Sequence, residues 1–194
     1  MARRDNHYEA AFEAYLRWLA IPYVAVDETR RSLAGDLTLK SLDFLVSPVG
    51  AAGGAAGNWL VDVKGRRFPT AGSQYWRNWC TREELTSLAS WESLFAPAGK
   101  GLLVFAFNVV GDRAPLAREE LFVHRGSLYG FVGIRLDHYS SWARQLSPRW
   151  DTVTVPTARF RALARPVREL FGAARPQLHC AAQAHSAAQG AGAA

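Results

Sequence analysis

Apolar positions along the chain follow two rhythms, and the switches between them predict the elements. Over residues 5–20, Tyr8, Ala11, Phe12, Tyr15, Leu16 and Leu19 recur at helical spacing, which gives a helix one apolar face. Asn6 or Asp5 can cap it, and Pro22 ends it. Tyr23 to Val26 then reads as a short strand, 27–40 as a polar turn or loop with Gly35, and Ser41 to Ser47 as a second strand closed by Pro48. Gly50 to Gly57 is almost pure Gly and Ala and reads as a flexible hairpin connection. It is not a phosphate loop, which needs a Gly-Lys-Ser/Thr ending. Asn58 to Lys64 reads as a third strand, ended by Gly65.

Arg66 to Gly72 is a basic loop. Helical spacing resumes over 81–96, with Thr81 and Glu84 forming a capping box and Leu85, Leu88, Ala89 and Leu94 on the expected buried side. Leu102 to Val110 carries no charge and reads as a buried strand. Strands at 120–124 and 128–135 form a hairpin around Arg125-Gly126. A helix over 137–145, a strand over 152–155 and helix over 157–171 interrupted at Pro166 follow. The order predicts an antiparallel meander of three strands, then a helix that crosses over to a parallel fourth strand. The result is an α/β fold, a mixed sheet with helices on both faces. One domain is expected over 1–171, with a core at 5–110 and an accessory part at 111–171; the Ala/Gln/Gly-rich end, 172–194, is expected to be disordered.

Composition narrows the class. A chain of 194 residues, 49% hydrophobic, holds one domain with a real core. No apolar run is long enough to span a bilayer, and an acidic amphipathic segment follows Arg3-Arg4 where a secretory signal would be apolar. No membrane role and a cytoplasmic location are therefore expected. Cys80 and Cys180 lie far apart and form no CxxC pair, which argues against a disulfide framework or a zinc knuckle. His179, Cys180 and His185 fall in the biased tail. The net charge of +6, mostly from arginine, favours an anionic partner, nucleic acid first, although an Arg-rich composition alone can produce it.

The chemistry concentrates in the third strand. Asp62 and Lys64 are two apart and share one face, while Val61 and Val63 share the other. Both charged types are rare in strands, so their place in an apolar run implies either a solvated edge or a site. Asp43 lies in another apolar stretch, Leu42-Asp43-Phe44-Leu45-Val46, and can neighbour Asp62 if the two strands pair. Adjacent carboxylates repel unless a cation neutralises them, and Mg²⁺ or Mn²⁺ suits such oxygen donors. Lys64 can then orient a water or offset charge on a phosphate. Glu9 and Glu13 are four apart on the first helix; an acidic first turn is also ordinary helix design.

Helix-Glu, strand, Leu42-Asp43, strand with Asp62-Val63-Lys64, helix and strand resemble the PD-(D/E)XK nuclease superfamily, and within it the archaeal Holliday-junction resolvases and related restriction-endonuclease-like folds. Leu42 stands where the family usually has Pro. His7-Tyr8-Glu9-Ala10-Ala11-Phe12-Glu13 also matches the string HYExAFE of an uncharacterised bacterial family. The resemblance covers residues 5–110. It implies an αβββαβ core with β-hairpin and helix additions at the C-terminal end, and a Mg²⁺- or Mn²⁺-dependent endonuclease site. In that site Asp43, Asp62 and Lys64 act with Glu9 (or Glu13), and the Val63 carbonyl is a further metal ligand. Gln74 is a candidate for a polar residue that such nucleases carry on the following helix. Arg66, Arg67 and Arg77 are candidates for phosphate contacts and Trp76 for base stacking, while Trp79 reads as a core residue. A homodimer acting on nucleic acid, DNA in the first place, is implied. The alternatives are a non-catalytic nucleic-acid-binding module on the same fold and a protein-interaction domain whose charge is incidental.

Overall fold

A computed structural model describes residues 6–26, 32–34, 37–48, 57–70 and 74–174. The expectations for the Gly/Ala stretch at 49–56, for most of the tail and for His179, Cys180 and His185 lie outside the described residues. Helix α1 spans His7–Trp18 and is capped by the Asn6 side chain, which accepts from the Tyr8 N–H at 3.1 Å. Strands β1 (Tyr23–Ala25), β2 (Ser32–Ala34), β3 (Leu37–Leu39) and β4 (Phe44–Val46) precede the long β5 (Asn58–Phe68). The two-residue β6 (Cys80–Thr81) leads into α2 (Arg82–Leu94), and β7 (Gly99–Val109) follows. Strands β8 (Phe122–His124) and β9 (Ser127–Arg135) form a hairpin. Its turn holds Arg125 at φ 49° and Gly126 at φ 77°, the left-handed pair that a tight hairpin demands. Helix α3 (Leu136–Trp142), β10 (Arg144–Ser147), β11 (Thr152–Thr154), α4 (Thr157–Leu163), β12 (Arg165–Pro166) and α5 (Val167–Leu170) complete the chain.

The main sheet runs β1-β4-β5-β7-β9-β12, with β8 also on β9. β1, β4 and β5 pair antiparallel, and β5 pairs with β7 in parallel along its whole length. That is the mixed sheet with helices on both faces, the restriction-endonuclease-like arrangement. β9, beyond residue 110, is an interior strand of the same sheet.

The sheet separates two apolar layers. On one side α1 packs Phe12 edge-on against Phe44 and Phe131, at ring separations of 5.3 and 5.4 Å, over Val61, Val63 and Val104. On the other, α2, α3 and α4 bury Leu88, Tyr139 and Phe160 against Leu60, Leu103 and Phe105. Each fully buried side chain of this size contributes about 1.5–3 kcal/mol through removal from water. No described helix is long and apolar enough to cross a membrane.

Local structure departs from the sequence expectation in several places. Strand β5 runs past Gly65 to Phe68, paired with β7 throughout, so Arg66 and Arg67 lie in a strand and not in the expected basic loop. The expected loop at 27–40 contains the short β2–β3 hairpin. The expected helix at 137–145 ends at Trp142, and Arg144–Ser147 is a strand because it finds antiparallel partners in 152–154. The interruption expected at Pro166 is present and is wider than one residue: Pro166 disfavours helical backbone at Arg165, and Arg165–Pro166 pairs with Gly133 and Val132 of β9. Helix α2 keeps Leu88 buried and Leu85 half-buried as expected but shifts the rest of its stripe: Ser87 is buried and Glu84 and Trp91 half-buried, while Ala89 and Leu94 are exposed.

Candidate active site on the central strand

β4 accompanies β5 only as far as Val61. At that point Asp43 donates its backbone N–H to the Val61 carbonyl, and the chain turns away. The next rung would have bonded the Val63 N–H. The Asp43 carboxylate takes that N–H instead, through Oδ2. A short strand end, completed by a side chain, thus fixes a carboxylate against the middle of β5.

On β5 the row Leu60, Asp62, Lys64, Arg66 faces the α2 layer. Asp62 and Lys64 are each only 7% exposed, so their charges need partners in the protein. Lys64 Nζ donates to Asp62 Oδ1 at 2.8 Å, lies 2.7 Å from Oδ2 and pairs with Glu84 Oε1 at 2.9 Å. Lys40, which follows β3, reaches the same Glu84 oxygen at 2.6 Å. The other oxygen of Glu84 accepts the Thr81 N–H at 2.8 Å and closes the capping box of α2. One carboxylate therefore caps the helix and holds two ammonium groups. This explains the shifted stripe of α2, since Glu84 must face β5. Lys40, Ser41, Leu42, Asp62, Glu84 and Ser87 line a small cavity between β5 and α2.

The electrostatics follow from this packing. Burial opposes the charge on Lys64, but the carboxylates of Asp62 and Glu84 outweigh it and hold the ammonium above the ordinary lysine range. Burial also opposes the charge on Glu84; Lys64 and Lys40 outweigh it and bring the carboxyl down to about 2. For Asp62 burial dominates and raises the carboxyl, with Lys64 opposing and the Glu84 charge adding to the rise. Both Asp62 oxygens are buried against the Lys64 ammonium, Oδ2 through an ion-pair contact at 2.7 Å.

Glu9 enters from the opposite layer. It belongs to the inward stripe of α1, is 6% exposed, and accepts from the Asn6 side-chain amide. Its neighbour Tyr8 lies flat against β5 where Gly65 has no side chain; a Cβ there would come within 2.1 Å of the Tyr8 ring. His7 bonds the Tyr129 hydroxyl at 2.7 Å, so His7-Tyr8-Glu9 locks the start of α1 to the sheet. Glu13 points elsewhere, pairing with Arg17 and accepting from the Tyr23 hydroxyl at 2.9 Å.

The remaining candidates scatter. Gln74 is exposed, precedes the helix, and its carbonyl closes a turn onto the Thr70 N–H at the far end of β5. The helix residue that faces the cluster is Glu84. Arg66 is turned inward, over the Trp79 ring at 4.1 Å, and donates to the Trp79 and Gly65 carbonyls. Arg67 and Arg77 are exposed. Trp76 is half-buried and packs edge-on against Phe68, Phe107 and Phe160, with the Arg161 guanidinium 5.5 Å from its ring. Lys40 and Glu84 are the cluster members that sequence reasoning missed. The available signal was Lys64 itself, because a buried lysine beside one aspartate leaves donors to satisfy.

For a divalent cation, the donor chemistry fits in part. Asp62 on β5 and Asp43, whose carboxylate is held on the Val63 N–H of the same strand, are oxygen donors near the middle of β5, but Asp62 is already engaged by the Lys64 ammonium. Among the described residues, however, no three His, Cys, Asp or Glu side chains gather closely enough to form a metal cluster.

No protein-family model matches the chain, and no curated protein matches it. Among solved structures, the chain is similar to a Holliday junction resolvase from the archaeal hyperthermophile Archaeoglobus fulgidus. The TM-score is 0.50 at 11% identity, over 86% of this chain and 98% of that one. A likeness at this identity establishes the fold alone, the restriction-endonuclease-like arrangement.

Proposed function

We propose that the chain is a metal-dependent phosphodiesterase acting on nucleic acid, DNA in the first place. The observation that carries this reading is the buried Asp62–Lys64 pair on the central strand, on a fold similar to that of a junction resolvase. Asp43 and Asp62 would hold Mg²⁺ or Mn²⁺, and Glu9 and the Val63 carbonyl would have to be brought to the ion, because the three carboxylates form no cluster in this structure. Such an ion supplies charge neutralisation at the phosphate and a more acidic water. The protein's own part is positional. Asp43 is held by the Val63 N–H, and Lys64 is kept protonated by Asp62 and Glu84, so its ammonium can face phosphate charge. The exposed Arg67 and Arg77 are available to a polyanion. The reading extends to a homodimer, which light scattering on the full chain tests.

A second reading, a non-catalytic nucleic-acid-binding module, draws on a specific observation: Lys64 closes a salt-bridge network with Asp62 and Glu84, and no metal-ready cluster forms among the described residues. Calorimetric titration of Mn²⁺ into the wild type and Asp62→Ala, followed by incubation of both with branched and linear DNA, separates the two. Binding and cleavage in the wild type, both abolished in Asp62→Ala, support the phosphodiesterase. Salt-dependent DNA binding without Mn²⁺ uptake or cleavage leaves the binding module.

A further inference from the structure

The most exposed large apolar side chain in the described residues is Trp150, at 68%. It sits at the tip of the β10–β11 hairpin, in Pro148-Arg149-Trp150-Asp151. Trp is enriched at binding interfaces, and binding residues concentrate on loops positioned by a rigid scaffold.

The base of this hairpin is rigid. Thr152 and Val153 pair with Thr81 and Cys80 of β6, and Val153 and Val155 are buried. The tip is clamped to the start of α2: the Arg82 N–H donates to the Asp151 carbonyl at 2.9 Å, and the Arg82 guanidinium meets the Asp151 carboxylate at 3.1 Å. Arg82 is two residues from Glu84, so the tip and the Asp62–Lys64 cluster hang from the same helical turn. The Arg149 guanidinium lies over the Trp150 ring, 5.2 Å from its centroid, Arg144 is exposed at the base of the same hairpin on β10, and Asp151 at the tip is engaged by Arg82. Leu146, 53% exposed, extends the apolar part.

An exposed indole with one guanidinium over its ring, on a hairpin that carries a second exposed arginine, matches one chemistry closely. A nucleobase presents a π-face to the indole, and the phosphates on either side of it meet the guanidinium groups. Bases inside a duplex bury their faces against each other, so an unpaired base is the one such a tip can take. We propose that the 148–151 tip is a stacking wedge for an unpaired nucleobase, with Trp150 covering its face and Arg149 and Arg144 holding the adjoining phosphates. This deepens the nucleic-acid reading and rests on it. It names the substrate class as nucleic acid with unpaired bases beside a duplex.

The test is fluorescence anisotropy in EDTA with a labelled DNA duplex carrying a single-stranded overhang and with a fully paired duplex of the same length. The wild type should prefer the overhang. Trp150→Ala should lose about tenfold or more on the overhang DNA and little on the paired one, since stacking on one base accounts for a factor of this order. Trp150→Phe should keep most of the preference. Arg144→Ala/Arg149→Ala should weaken both and flatten the salt dependence. Equal loss on both DNAs, no loss, or no DNA binding by the wild type would overturn the wedge. So would Trp150-dependent binding to phosphatidylglycerol vesicles in place of DNA, which would make the tip a membrane contact. Failure of the catalytic reading is separately visible: Asp62→Ala and wild type would then bind the overhang DNA alike and neither would cleave it with Mn²⁺.

Discussion

The two faces of β5 put one stretch of backbone into two different environments. Toward α1, Val61 and Val63 meet Phe12, Phe44 and Phe131, and nothing is asked of them but volume. Toward α2, Asp62 and Lys64 are as deeply buried, and each depends on named partners. An apolar face would hold the sheet together equally well. A buried ion pair contributes little net stability, because desolvation offsets most of the attraction. The charged face therefore needs an explanation other than folding, and the proposed chemistry provides one.

That contrast can be broken experimentally. The largest effect is expected for Lys64→Ala, which leaves Asp62 and Glu84 facing each other without the ammonium between them; it should lose about 3–5 kcal/mol, read from urea unfolding. Phe12→Ala, on the other face, should lose a similar amount, about 3–5 kcal/mol, through a cavity. It should leave Mn²⁺ uptake in the folded fraction intact, whereas Lys64→Ala should change it. Replacing the charged face wholesale sharpens the comparison: Asp62→Leu/Lys64→Met/Glu84→Gln should be neutral or more stable by up to about 4 kcal/mol, yet inactive. A triple variant far less stable than the wild type would show that the charges serve the fold.

The smallest effect concerns acid. Glu84 ordinarily titrates at 4.5 and is held at about 2 here. A carboxyl depressed on folding stabilises above its unfolded value and loses that contribution as pH falls toward the folded one. The wild type should therefore lose stability between about pH 4.5 and 2, and Glu84→Gln should show a flatter acid limb in thermal melts across that window.

Much of the architecture could be read from local pattern. Helix α1 follows from the spacing of Phe12, Tyr15 and Leu16, the capping box at Thr81 from two residues three apart, and the β8–β9 hairpin from Arg125-Gly126. The short strands could not. β6 has two residues and β10 four, too few for any period, and they exist only because each finds an edge to pair with. Propensity sums misplace such segments because pairing energy comes from residues distant in sequence.

The candidate site divides in the same way. The sequence by itself determined that Asp62 and Lys64 share a face, because strand side chains alternate, and that Glu84 caps α2, because a capping box is local. Only the tertiary structure decided that Glu84 and Lys40 are the partners of Lys64, that Glu9 is buried while Glu13 pairs with Arg17, and that Asp43 finishes a strand rung on Val63. Trp150 belongs with these. Its residue type is visible in the chain, but its exposure is set by where the hairpin is clamped. The physical reason is common to all of them: periodicity reports which way a side chain points relative to its own backbone, and partners across a fold are fixed by how elements pack.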